Sequence, residues 1–178
     1  VPCANETLVE LMFGQVPRRG ERPSFELGGP VLEVADLTAG DYRLAIEGVN
    51  LSVRAGEVFG LAGLEGSGQR RLIQACAGLI SPSAGRILIA GQDVTGWSYH
   101  KRQAFGLAYV AAGRLEEGLV AGLTMTEHLV LAQPEHDFLV KWDDARQEMI
   151  GRIDHYKIVG RPDSTADELS GGNQQRLL

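Results

Sequence analysis

The sequence predicts an α/β fold whose ligand-binding turns lie at the carboxyl ends of sheet strands, followed by a separate helical lobe. Three observations carry this. Val58-Phe59-Gly60-Leu61-Ala62 is a continuous apolar run, the type a strand buried on both faces shows. A glycine-rich turn from Gly63 to Gly68 follows it directly, and a helical pattern follows the turn. Beyond residue 113 the chain is mostly helical in pattern.

Composition narrows the class. With 178 residues, 44% hydrophobic and 22% charged, the chain can bury a sizeable core and is not a disordered segment. Its formal net charge of -6 and lack of a long basic run argue against a nucleic-acid partner. Cys3 and Cys76 stand far apart in no metal spacing, as reduced thiols do, and Cys76 lies in an apolar stretch suited to a core residue. No apolar run approaches the roughly 20 residues of a membrane helix. The opening VPCANE carries no basic segment before an apolar one, so no signal peptide is expected. Any membrane role is expected to come through a partner subunit.

The elements follow in order. Leu8, Val9, Leu11 and Met12 suit a short helix, and Gly14 to Gly20, Pro23 and Gly28-Gly29-Pro30 suit a linker. Residues 1–29 are therefore set apart from 30–178. Val31 to Val34, Arg43 to Ile46 and Val49 to Val53 read as strands. After the glycine turn, Leu72, Ile73, Ala75, Cys76 and Leu79 mark one face of a helix that ends near Gly78. Ile87 to Ala90 reads as a strand, Ser98 to Phe105 as a helix and Leu107 to Ala111 as a strand. Thr124-x-x-Glu127 is a capping box opening a helix through Ala132. Asp143 to Tyr156 is an amphipathic helix with an acidic start, and Asp167 to Leu178 a glycine pair followed by a new helix.

Gly63-Leu64-Glu65-Gly66-Ser67-Gly68-Gln69-Arg70 stands in the place of a Walker A loop. That loop needs glycines so that backbone N–H groups can curl round phosphate oxygens, then a Lys for the β and γ phosphates and a hydroxyl for Mg²⁺. Gly63 and Gly68 have the spacing. Gln69 replaces the Lys and is neutral; Arg70 replaces the hydroxyl and has no acceptor oxygen. The loop is degenerate and is expected to bind nucleotide weakly and not to support fast hydrolysis. A Rossmann reading fails because Arg71 stands where a third glycine belongs.

Leu169-Ser170-Gly171-Gly172-Asn173-Gln174-Gln175-Arg176 is far more specific. The glycine pair is expected to open the backbone before a helix, presenting Ser170 Oγ and backbone N–H groups to an anion. This string resembles the signature of ABC transporter ATPases. Its Asn173-Gln174-Gln175 form is similar to importers of simple sugars such as ribose and galactose and their nucleoside-importing relatives. The loop Gly63 to Gln69 resembles the second half of the nucleoside type. The resemblance runs from about Val31 to Leu178, and residues 6 to 15 resemble the tail of the family's first half.

The resemblance implies a P-loop NTPase core with an antiparallel β subdomain and a helical lobe: 30–112 for the core, 113–178 for the lobe and signature. It implies ATP and Mg²⁺ as cofactors, held between two ATPase halves by the Walker loop of one and the signature of the other. The implied partners are an upstream nucleotide-binding half, transmembrane permease subunits and, indirectly, a solute-binding protein, with the chain peripheral on the cytoplasmic face of the membrane. Leu169, Ser170, Gly171, Gly172, Asn173 and Gln174 are the residues it assigns to the partner's ATP. Ala112 stands at the family's Q-loop position without its carboxylate or amide, a second loss beside the degenerate loop. Tyr42 is the candidate to stack on adenine. Leu123 to Leu131 is the expected surface toward the membrane subunit. The read sequence stops inside the signature helix, so a fragment truncated before Walker B is expected, with no catalytic residue of its own and part of its apolar sheet uncovered. An inactive scaffold or regulatory module, or a soluble ABC ATPase of another process, are the alternative functions.

Overall fold

A computed structural model of the chain describes residue 7 and residues 26–133 and 139–178. The expected helix at residues 8–12 and the breaker-rich stretch to Pro23 lie outside the described residues.

Four antiparallel strands form one sheet in the order β2-β1-β3-β4. They are β1 (Pro30–Gly40), β2 (Ala45–Arg54), β3 (Ala84–Ile89) and β4 (Gln92–Asp93). Val34, Leu37 and Ala39 of β1 and Ile87 of β3 bury one face of the sheet against Leu72, Ala75 and Cys76 of α1 (Gln69–Ala77), forming the first core. The register of β1 shifts between Val34 and Leu37, where Asp36 takes a positive φ of 47°. Asn50 closes this bulge: its Oδ1 accepts from Asp36 N and its Nδ2 donates to Asp36 Oδ1, both at 2.9 Å. Gly85 has a φ of 84°, and a Cβ there would stand 2.4 Å from Asp36 O, so only glycine fits opposite the bulge.

Several boundaries differ from the sequence reading. Gly28 and Gly29, just ahead of β1, are tied to the residue that follows β2: Gly28 N donates to Ala55 O at 3.0 Å and Ala55 N to Gly29 O at 2.9 Å. Of the strand expected at Arg43 to Ile46, Ala45 and Ile46 open β2, while Arg43 and Leu44 belong to the turn, because Asp41 Oδ1 accepts from both their N–H groups and folds the chain back. The strands expected at Val58 to Ala62 and Leu107 to Ala111 do not form. A strand exists only as a paired ladder, and no described segment pairs with either. Val58 is 98% exposed, against the expectation of burial on both faces. Phe59, Leu61 and residues 107–109 instead line an open apolar cleft of about 320 Å³ beside α1.

Beyond β4, α2 (Tyr99–Ala104) begins at Ser98, whose Oγ accepts from Lys101 N. Its Arg102 is 1% exposed and caps the end of α1: Nη1 donates to Ala75 O and Cys76 O at 2.7 and 2.8 Å, and Nη2 to Thr95 O at 2.9 Å. A π-helical turn, Arg114–Gly118, then leads into the helical lobe. There α3 (Met125–Ala132), α4 (Trp142–Tyr156), a 3₁₀ turn (Ala166–Glu168) and α5 (Gly171–Leu177) follow. Met125, Leu129, Met149, Ile158 and Leu169 form the second core. The surface role expected of Leu123 to Leu131 is thereby corrected. Met125, Thr126, His128, Leu129 and Val130 are buried, because α3 packs across α4, and Leu131 is the exposed apolar residue at its end.

Candidate functional site

The loop from Gly63 to Arg70 has the backbone of an anion cradle. Gly66 and Gly68 take left-handed φ values of 81° and 101°, and Gly68 O accepts the first helical bond of α1 from Leu72 N at 3.0 Å. Gly68 also lies close under β2: a Cβ there would stand 2.3 Å from Ile46 Cγ2. A glycine turn running into a helix N-terminus collects negative charge.

The side chains of this loop occupy the cradle themselves. Gln69 folds back so that its Nε2 donates to Leu64 O at 3.4 Å. The Ser67 hydroxyl donates to the same carbonyl at 2.5 Å and lies 3.3 Å from Gln69 Oε1. Arg70 turns away and forms an ion pair with Glu117 of the π-helical turn. The position that would supply a magnesium-ligating hydroxyl thus carries a cation already matched by a carboxylate. These residues do not fit a magnesium-bound triphosphate. Ala112, exposed just before the turn, adds no ligand. Among the described residues, no His, Cys, Asp and Glu gather in a group suited to a metal ion.

Tyr42 stands on the β1–β2 turn beside this loop, 89% exposed, with the Arg43 guanidinium 5.3 Å from its ring centroid. The turn is tied to α1, since Arg71 Nη2 donates to Asp41 Oδ2 at 2.7 Å. The Arg43 and Leu44 N–H groups hold the Asp41 carboxyl below its ordinary range. Leu44, rather than Tyr42, lines the cavity of about 900 Å³ that the loop borders.

The signature string lies at the other end of the π-helical turn. Ser170 is exposed as the N-cap of α5, and both glycines sit inside the first turn of that helix rather than ahead of it. The Arg114 guanidinium fills the space at Gly171, with Nη1 3.0 Å from where a Cβ would stand. Three of the six assigned residues are turned inward. Leu169 belongs to the second core. Asn173 Oδ1 accepts from Val159 N at 3.0 Å while its Nδ2 donates to Ser170 Oγ at 3.0 Å. Gln174 Nε2 donates to Ala166 O at 3.0 Å. The Ser170 hydroxyl accepts that one bond from Asn173 and is exposed, and nothing lies within 4 Å of a Cβ position on Gly172.

Two carboxylates anchor the segment before the signature. Gly122 N donates to Asp167 Oδ1 at 2.8 Å, and this bond holds the Asp167 carboxyl below its ordinary range. Thr124 donates its N–H and its hydroxyl to Glu127 Oε2 at 2.6 and 2.8 Å, with the same effect on Glu127. The sequence reading missed Glu117, Arg114 and Asp167. Each acts on a residue distant in sequence, and no local spacing marks such a pair.

Comparison with known proteins agrees with the fold. A family model described as ABC transporter matches residues 46–178. The nucleoside import ATP-binding protein NupA of Lactococcus lactis subsp. cremoris is 30% identical over 98% of this chain and 36% of its own length. The ribose import ATP-binding protein RbsA of Corynebacterium glutamicum is 30% identical over 97% of this chain and 33% of its own length. The chain spans about a third of the length of these relatives. The crystal structure of a nucleotide-free ATP-binding cassette from an ABC transporter superposes with a TM-score of 0.65 at 22% identity, covering 83% of this chain and 62% of that one. The structure of an ATP binding subunit of an ABC transporter gives 0.60 at 26% identity, covering 83% and 59%. No helix among the described residues is long and apolar enough to cross a membrane.

Proposed function

The chain belongs to the ABC transporter family, and from that premise we propose that it is part of the ATP-binding subunit of an importer for simple sugars or nucleosides. Its relatives named for nucleoside import and ribose import support this substrate range. Residues 30–178 are the ATPase portion and residues 1–29 the link to an upstream ATPase half. The intact protein sits on the cytoplasmic face of the membrane against permease subunits, which receive solute from a binding protein.

The two ends of the π-helical turn have different fates in this scheme. The loop from Gly63 to Arg70 does not hydrolyse ATP. Ser170, with the backbone around Gly171 and Gly172, completes the Mg-ATP site of the upstream half, whose own Walker loop holds the nucleotide. Tyr42 is the adenine-stacking candidate at whatever weak site remains beside the degenerate loop. The observation that carries the reading is the contrast between the two loops. Gln69 fills one and Arg70 is matched by Glu117, while Ser170 is exposed with its hydroxyl proton free to donate.

Ser170→Arg in the full-length protein tests it. Turnover of Mg-ATP is expected to fall by about 100-fold or more, as removal of a preorganised donor from a phosphoryl site does. Unchanged turnover would favour an inactive scaffold instead.

A further inference from the structure

The turn Arg114–Gly118 is gripped from both sides. On one side Glu117 pairs with Arg70, the second residue of α1 and the last of the degenerate loop. On the other side Arg114 lies against Gly171, its Nη1 3.0 Å from a Cβ position there. Gly118 meets Leu178 at the far end of α5, with a Cβ position 2.3 Å from Leu178 Cδ2. A continuous chain of contacts therefore runs from the loop that has lost its phosphate chemistry to the helix that carries the signature. The turn has no buried residue of its own, so these flanking contacts fix where it sits.

We propose that Arg70 and Glu117 are positioning residues for the signature. Their ion pair fixes the turn, the turn fixes Gly171 through Arg114, and Ser170 is thereby held toward the upstream half's nucleotide with no nucleotide needed at residues 63–70. This inference rests on the trans role of Ser170 proposed above. The Arg70 side chain is 61% exposed and that of Glu117 20% exposed. The Arg70 end of the pair is open to water, so solvent screens it and its contribution to global stability is small. Its loss is therefore expected to displace Ser170 without unfolding the domain, and displacements near 1 Å lower rates by about 100-fold in other enzymes.

The test uses the full-length protein and Mg-ATP. Glu117→Gln and Arg70→Gln are each expected to lower kcat about 10- to 100-fold, with KM and melting temperature near those of the parent. KM holds because the upstream Walker loop keeps the nucleotide. The swapped pair, Arg70→Glu with Glu117→Arg, is expected to recover most of the lost turnover. A purely local packing role would not be rescued by exchanging the charges. Parent-like turnover in both single variants, or no recovery in the swap, overturns the inference. If in the same series Ser170→Arg abolishes turnover, the trans reading stands and only the coupling fails. If Ser170→Arg is silent, both fall together.

Discussion

The Gln69 side-chain amide lies against Gly63, its Nε2 2.2 Å from the point a Cβ would occupy. The Gln69 amide and the Ser67 hydroxyl both donate to Leu64 O, so the loop's own side chains take up part of the space its glycines leave open. Gln69 thus brings no charge to the loop and takes up part of its space.

Supplying the two groups this loop does not carry has a definite expected outcome. Gln69→Lys with Arg70→Ser brings in an ammonium and a metal-ligating hydroxyl, removes the Gln69 amide from Leu64 O and frees Glu117. Mg-ATP affinity at this loop is expected to rise about 10- to 100-fold, the scale of one or two charge-assisted hydrogen bonds. Gln69→Lys alone gains less, because Arg70 still excludes the metal. Calorimetric titration of the variants with Mg-ATP checks this, and equal affinity for all of them would refute the account.

Removing the Arg102 side chain is expected to be costly. Its guanidinium is buried with four carbonyls as its partners: Ala75, Cys76, Thr95 and Trp97. Two of these lie in the last turn of α1, where a cation also suits the helix dipole. Arg102→Met fills the volume but leaves buried acceptors unpaired, at a cost of about 3–5 kcal/mol. Arg102→Lys keeps the charge and loses the planar fork, so it falls between the two. Denaturant midpoints at unchanged slope read the difference.

What the sequence revealed of this fold follows the range of the interactions. Ser98, and Thr124 with Glu127, act within one turn, and both helix starts were legible from them. The alternation in Val49 to Val53 likewise marked part of β2. Val58 to Ala62 is apolar enough for a buried strand, yet burial needs a partner that the run itself does not encode. Arg70 stood out in the sequence at the position where a Walker A loop has its hydroxyl, but its ion-pair partner Glu117 did not, because side chains that meet from distant segments leave no spacing. The signature string was recognisable as a string. The inward turn of Asn173 and Gln174 depends on Val159 and Ala166, which only the folded lobe brings near.

Acid is expected to weaken the lobe through two carboxylates. Hydrogen bonds hold Glu127 and Asp167 below their ordinary values of 4.5 and 3.8. A carboxyl whose folded pKa is depressed contributes stability that is complete above its unfolded pKa and is lost as pH falls through the folded one. The gap in stability between the parent and Glu127→Gln with Asp167→Asn should thus be open at pH 7 and close below about pH 4. Urea unfolding at a series of pH values measures it. A gap still as wide at pH 3 would show that the two charges contribute nothing.

Asn173 separates the architecture of the signature from its chemistry. Asn173 Oδ1 satisfies the Val159 N–H and its Nδ2 donates to Ser170 Oγ, which leaves the serine proton free. Asn173→Ala orphans the Val159 donor and is expected to cost about 1–3 kcal/mol. Asn173→Asp keeps the acceptor for Val159, and Arg176 Nη1, 3.2 Å away, compensates the new charge, so the fold should hold. The carboxylate, however, can no longer donate to Ser170. The serine hydroxyl turns inward to donate to it and is withdrawn from the nucleotide face. Turnover in the full-length protein should then fall about tenfold or more while the melting temperature stays near that of the parent. Equal loss of stability in the Ala and Asp variants would mean that Asn173 serves the packing of the lobe alone.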